Sequence, residues 1–182
     1  MPALPAHLTL RDSGLVLRDW RREDAVALEP MCGDPDICRF TSVPWHYSLA
    51  DAEAWIERVR HARGSGALVA LAIAEDDAGR PVGNVNLVRF DDDRRSAALG
   101  YWLAPDARGR GLASRAAQLL CDWGFAQLGL GRIELAILPE NDASQRVAAR
   151  LGAVCEGIRR DSHEAAGRRW DMLVYALTAQ RT

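Results

Sequence analysis

No apolar run in this chain approaches the roughly 20 residues that cross a bilayer. Met1 to Leu10 also lacks the charged-then-apolar order of a secretory signal. A cytoplasmic protein is expected, and a membrane partner is not. The cysteines Cys32, Cys38, Cys121 and Cys155 form no C-x-x-C pair. In a reducing compartment they read as free thiols. No histidine stands at ligand spacing from another histidine or from a cysteine pair, so no metal site is expected. Neither sign of charge dominates. Lys plus Arg count 23 against 25 for Asp plus Glu, a net charge of −2. That balance gives no drive toward nucleic acid or an anionic membrane, and direct DNA binding is not expected. Internal repeats, low-complexity tracts and long linkers are missing too, so residues 1–182 read as a single domain.

What is present is a regular alternation of short elements. Leu15–Arg18 reads as a strand. Arg22–Met31 reads as a helix with Glu23 and Asp24 in its first turn, stopped by Gly33-Asp34-Pro35. Asp36–Tyr47 reads as irregular. Ser48 with Asp51 three residues on is a capping-box start for a helix running to about Arg63. Ala67–Ala74, Val82–Phe90 and Ser96–Leu103 read as strands. Asp76-Asp77-Ala78-Gly79 and Asp91-Asp92-Asp93 are the turns between them, which predicts an antiparallel meander. A helix from Gly111 to Leu128 follows, with Leu112, Ala116, Leu119, Leu120 and Trp123 on one face. Then come a strand at Ile133–Leu138, a helix at Asn141–Leu151 capped by Gly152, and strands at Ala153–Arg160 and Arg169–Leu177. The order β α α β β β α β α β β predicts an α/β fold. It is a mixed, mostly antiparallel sheet of about seven strands flanked by helices.

The segment from Tyr101 to Ser114 carries the chemistry. A strand runs into a turn rich in glycine and arginine, then into a helix. The first N–H groups of a helix lack internal partners and lie at the positive end of its dipole, which suits phosphate oxygens. Gly109 and Gly111 let the backbone approach a ligand, Ala113 is small, and Arg108 and Arg110 add charge. No Lys-Ser/Thr pair follows, so this is not a Mg-nucleotide loop. A dinucleotide site is disfavoured because a meander precedes it.

The string Arg108-x-x-Gly111-x-Ala113 resembles the coenzyme A signature of the GNAT superfamily of N-acetyltransferases, Gln/Arg-x-x-Gly-x-Gly/Ala. Glu134 to Ser144 resembles that family's strand-then-Asn segment, and Val147 to Ala153 its helix ending in Leu-Gly. Leu15 to Arg18 with Asp24 resembles the RimJ/RimL branch, which acetylates ribosomal-protein N-termini. The resemblance spans residues 14 to 177. It implies acetyl-CoA (a coenzyme A thioester) as donor, with the Arg108–Ser114 backbone, Leu112 included, holding the pyrophosphate. Trp102, Leu103 and Ala104 would pair with the pantetheine arm where parallel strands splay into a V, and Asn141 would hydrogen-bond its amides. A Leu103 or Ala104 N–H would serve the oxyanion. The acceptor is expected to be a primary amine, a protein or peptide N-terminus ahead of a small molecule such as an amino acid or antibiotic. A non-catalytic acyl-CoA-binding module is the alternative. Homodimers are common in this family, so a second copy is an admissible partner.

Two departures bear on mechanism. Where many members carry a glutamate this chain has Ala98, and where many carry a tyrosine on the helix after Asn141 it has Val147 and Ala148. Ser144, which resembles the serine of the RimL-like branch, is assigned the acid or thiol-orienting role. It reads equally as a first-turn serine bonding its own helix. Glu134, Glu164, His163 and a water chain are the candidates for base. Trp45, His46 and Tyr47 line the acceptor site or pack onto the core, and Asp161–Arg169 is either a substrate contact or a hairpin loop. Asn141 reads as a helix N-cap as well as a ligand. Trp55 and Trp123 read as core, and Cys121 and Cys155 as small buried residues.

Overall fold

The computed structural model describes residues 4–76, 79–91, 95–165 and 168–179, with the side chains of 164, 165 and 168 outside that description. Among the described residues, eight strands form one sheet in the order β1-β2-β3-β4-β5-β6-β8-β7. They are β1 (Leu10–Asp12), β2 (Leu15–Asp19), β3 (Leu68–Ala74), β4 (Gly83–Asp91), β5 (Ser96–Leu103), β6 (Arg132–Ile137), β7 (Val154–Ala165) and β8 (Arg168–Thr178). The helices are α1 (Ala25–Cys32), α2 (Pro35–Phe40), α3 (Leu49–Gly64), α4 (Leu112–Leu128) and α5 (Asp142–Arg150). The expected α/β class and the meander β3-β4-β5 hold, since both of its pairings are antiparallel.

Two elements differ from the sequence reading. A short hairpin partner, β1, precedes the first expected strand and pairs with it across Gly14, whose φ is +67°. The stretch read as irregular after Asp34 opens with helix α2. Asp34 accepts the Ile37 N–H at 3.0 Å as N-cap, and Pro35 takes the first helical position, where its missing N–H costs nothing. The same Asp-Pro pair that stops α1 starts α2. The turns expected over Asp77–Ala78 and Asp92–Asp93 lie outside the described residues.

The sheet separates two apolar layers. On one face α4 and α5 pack Leu112, Ala116, Leu120, Val147 and Ala148 against Leu71, Leu87, Leu99 and Leu135. On the other, α1 and α3 pack Leu28, Ala52 and Ile56 with Trp20 and Ala72. Strand β3 is covered on both faces, which explains its unbroken Leu-Val-Ala-Leu-Ala-Ile-Ala run. Trp55 and Trp123 are half-buried against these layers, and Cys121 is buried as expected. Cys155 is exposed, because β7 is a sheet edge rather than a core strand.

One pairing in the sheet is incomplete. Strands β5 and β6 run parallel and meet only at Ser96–Arg132, Ala97–Ile133 and Ala98–Glu134. Beyond Ala98 they diverge, and β6 continues its ladder with β8 as far as Ile137. The V expected between parallel strands is present.

Candidate active site

The V opens toward the start of α4. Here Gly109 and Gly111 both hold φ +77°, in the left-handed region that glycine occupies without strain, and a Cβ added at either would meet nothing within 4 Å. Arg115 N donates to the Gly111 carbonyl at 3.1 Å, which is the first intrahelical bond. Among the described residues, the N–H groups from Gly109 to Ser114 have no protein acceptor. The Ser114 hydroxyl is buried and has no partner either. A buried unpaired hydroxyl costs roughly 1–3 kcal/mol, so this run of donors is arranged for an acceptor that the protein does not supply.

Arg108 lines the cavity at this helix start, and both Arg108 and Arg110 have carboxylate partners. Arg108 bonds the Leu103 carbonyl at 3.2 Å through Nε, Asp34 at 2.5 Å and Asp36 at 3.2 Å. It braces the end of β5 against the N-terminus of α2. Arg110 pairs with Glu75. Among the described residues, the basic groups that line the cavity without an anionic partner are Arg146 and Arg150, one turn apart on α5. Sequence reading passed over them, although their i, i+4 spacing was available.

The cavity at this helix start has a volume of about 350 Å³. A second cavity of about 520 Å³ lies beside it. Both are lined by Phe40, Thr41, Tyr101, Trp102, Asn141 and Ser144, so they meet where β5 faces α5. Asn141 caps α5 by accepting the Ser144 N–H at 3.0 Å, so its capping role holds while it also borders both cavities. Along β5, Ala104 N–H donates to the Val82 carbonyl at 2.9 Å. Antiparallel alternation therefore turns the N–H groups of Trp102 and Gly100 toward β4 and those of Leu103 and Tyr101 toward the V. Of the two N–H groups expected to serve an oxyanion, Ala104 is engaged and Leu103 is available.

At the junction the Tyr101 and Ser144 hydroxyls lie 2.7 Å apart, and Tyr101 also reaches the Ser144 carbonyl at 3.3 Å. Burial pushes the Tyr101 phenol up to about 12, so it stays protonated and can act as a donor. Sequence reading missed Tyr101, whose partner is 43 residues away.

The remaining candidates divide. Tyr47 and His163 line the second cavity. Trp45 is exposed and lines neither. Glu134 also lines neither cavity. It bonds Arg132 at 2.9 Å and Arg159 at 3.5 Å on the far end of β6. The side chain of Glu164 lies outside the described residues.

The unpaired Ser114 hydroxyl gives a test with opposite signs. Ser114→Ala should raise the stability of the ligand-free protein by up to about 1 kcal/mol, since it deletes an unsatisfied buried group. The same change should weaken coenzyme A binding several-fold. Chemical denaturation and calorimetry would check the pair, and a loss of stability would show that the hydroxyl is satisfied without ligand.

Comparison with known proteins agrees with this geometry. Residues 14–154 match the acetyltransferase (GNAT) domain. The chain is 30% identical over 169 residues to the uncharacterized N-acetyltransferase p20 of Bacillus licheniformis, spanning 93% of this chain and 95% of that one. It is similar to the solved structure of Mycobacterium smegmatis RimJ in complex with CoA-disulfide. That match has 27% identity and a TM-score of 0.85, over 96% of this chain and 87% of that one. The ribosomal-protein-S5-alanine acetyltransferase of Vibrio fischeri shares the fold at 20% identity and a TM-score of 0.83, over 95% and 97% of the two chains. With a splayed parallel pair opening onto a glycine-rich helix start, this chain belongs to the GNAT acetyltransferase family.

Proposed function

We propose that the protein transfers an acetyl group from acetyl-CoA to a primary amine, foremost a protein or peptide N-terminus, by direct attack in a ternary complex. The observation that carries this reading is the run of unpartnered donors from Gly109 to Ser114 at the mouth of the V. Such donors fit a diphosphate. Arg146 and Arg150 fit a further phosphate, and the Leu103 N–H fits an amide or a developing oxyanion in the V. The likeness to RimJ supports coenzyme A as the carrier, and the RimJ/RimL resemblance favours a protein acceptor over a small molecule.

When bound, acetyl-CoA supplies an activated carbonyl. The protein's residues then have three tasks. The shared wall of the two cavities brings amine and carbonyl together, and positioning alone lowers a barrier by up to roughly 7–11 kcal/mol in the best geometry. Leu103 N–H stabilises the oxyanion. Ser144, held by the Tyr101 hydroxyl, directs its proton toward the departing sulfur. No covalent enzyme intermediate is needed. Burial pushes the Cys32 thiol, at the second cavity, up to about 12, which leaves it a poor nucleophile.

A thiol-release assay over hexapeptides with free N-termini, spermidine and amino acids tests the reading. Turnover on a peptide is expected. Tight acetyl-CoA binding with no release on any acceptor would instead make the chain a binding module. Ser144→Ala and Tyr101→Phe should each lower kcat about 10-fold or more and change the Kd for acetyl-CoA little. The double variant should cost less than the product of the two, as for residues acting through one bond. Equal losses in kcat and affinity would count against a role at the sulfur.

A further inference from the structure

We infer that His163 is the general base, the group that takes the acceptor's proton as its nitrogen attacks. The inference rests on the acyl-transfer reading above. His163, on β7, lines the second cavity together with Gly100 and Ser144. Ala98 lines it too, so the place of the glutamate common in the family holds a methyl group here.

The other ionisable groups of that cavity are unsuited to the task. Asp51 accepts the Ser48 N–H at 3.0 Å and the Ser48 hydroxyl at 2.6 Å, and these bonds hold its carboxyl below the usual range. It is fixed at the start of α3 and is a weakened base. Burial holds the Tyr47 phenol and the Cys32 thiol protonated. Arg58 from α3 and Arg89 from β4 remain cations. Among the described residues of the hairpin of His163, charges have partners within it or on β6. Arg169 pairs with Asp161, Arg160 with Asp171, and Arg159 with Glu134. Across the ladder His163 faces Trp170. Among the described residues of the cavity, His163 carries the one imidazole, whose ring nitrogen can accept a proton, and it makes no hydrogen bond or ion pair.

The step balances without a further reactant. The amine nitrogen forms a C–N bond as the C–S bond breaks. The electron pair leaves with sulfur, which takes the Ser144 proton, the nitrogen's proton passes to the imidazole and from there to solvent, and solvent returns a proton to Ser144. The imidazole must be neutral to act, so the rate falls as pH falls.

The test compares wild type, His163→Gln and Glu164→Gln on the best acceptor of the panel, from roughly pH 5.5 to 9. His163→Gln should lower kcat/KM about 10²-fold or more at neutral pH, within the range for a lost general base. Its acid limb should become shallower, keeping the part set by protonation of the acceptor amine, while its Kd for acetyl-CoA stays unchanged. A second readout is independent of turnover. Of the resonances from the four histidines, the one missing in His163→Gln should shift when acceptor joins the coenzyme A-bound protein. A His163→Gln variant that keeps rate and limb would overturn the inference and leave acyl transfer standing. So would a loss that appears in Glu164→Gln instead, or a resonance that does not move. Wild type inactive on every acceptor would overturn both.

Discussion

Gly111→Trp is expected to raise the Kd for acetyl-CoA more than about 100-fold, a loss near 2.7 kcal/mol. Gly111→Ala should keep most of the affinity. Both variants carry the same backbone cost. Residue 111 sits at φ +77°, where an L side chain is disfavoured by roughly 1–2 kcal/mol. Their unfolding midpoints should therefore fall by similar amounts. They differ in what the side chain fills. A Cβ here meets nothing within 4 Å, so an indole would extend into the space before the unpaired amides of α4. Calorimetry on the two proteins separates strain from occlusion. Binding by the Trp variant within a few-fold of the Ala variant would move the diphosphate elsewhere.

Asp24→Ala should have the largest effect on stability, about 3–5 kcal/mol by urea denaturation. Arg18 and Asp24 are 4% and 5% exposed. They meet in a two-pronged bond of 2.7 and 2.9 Å. Asp24 also accepts the Arg21 N–H at 2.8 Å, and Arg18 reaches the Gly79 carbonyl at 3.0 Å. The pair thus ties β2 to the turn before α1 and to the connection between β3 and β4. Removing the carboxylate leaves a guanidinium buried without its counter-charge. Replacing both partners, with Arg18→Met and Asp24→Leu, should recover most of the loss, because desolvation of both ions is then avoided. A single variant no worse than the double would show that the charges do not depend on each other.

Local signals were legible in the sequence and distant ones were not. The Ser48–Asp51 capping box and the strand read at Ala67–Ala74 each depend on neighbours within a few residues, and each appears as read. Asp34-Pro35 was ambiguous because its chemistry both ends one helix and begins the next. The glycine-rich segment from Arg108 leads into a helix as read, but the ion pairs of its arginines were not legible. Their partners Asp34, Asp36 and Glu75 come from elements far away in the chain. Glu134, read as a candidate base, is held by Arg132 two residues before it and by Arg159 25 residues after it. Tyr101 attracted no notice, since nothing near it in sequence reveals a hydroxyl partner on α5.

Where β5 and β6 part company, the sheet has an interior rim made of main chain. A slender linear molecule lying along that rim would be recognised through peptide groups common to every residue. Side chains at Trp102 or Leu103 could then change with little consequence for grip on such a guest, provided the strands kept their divergence. Under the proposed reading, selectivity for one acceptor over another would be written in the walls of the neighbouring chamber. A chain built this way can exchange clients while retaining its donor.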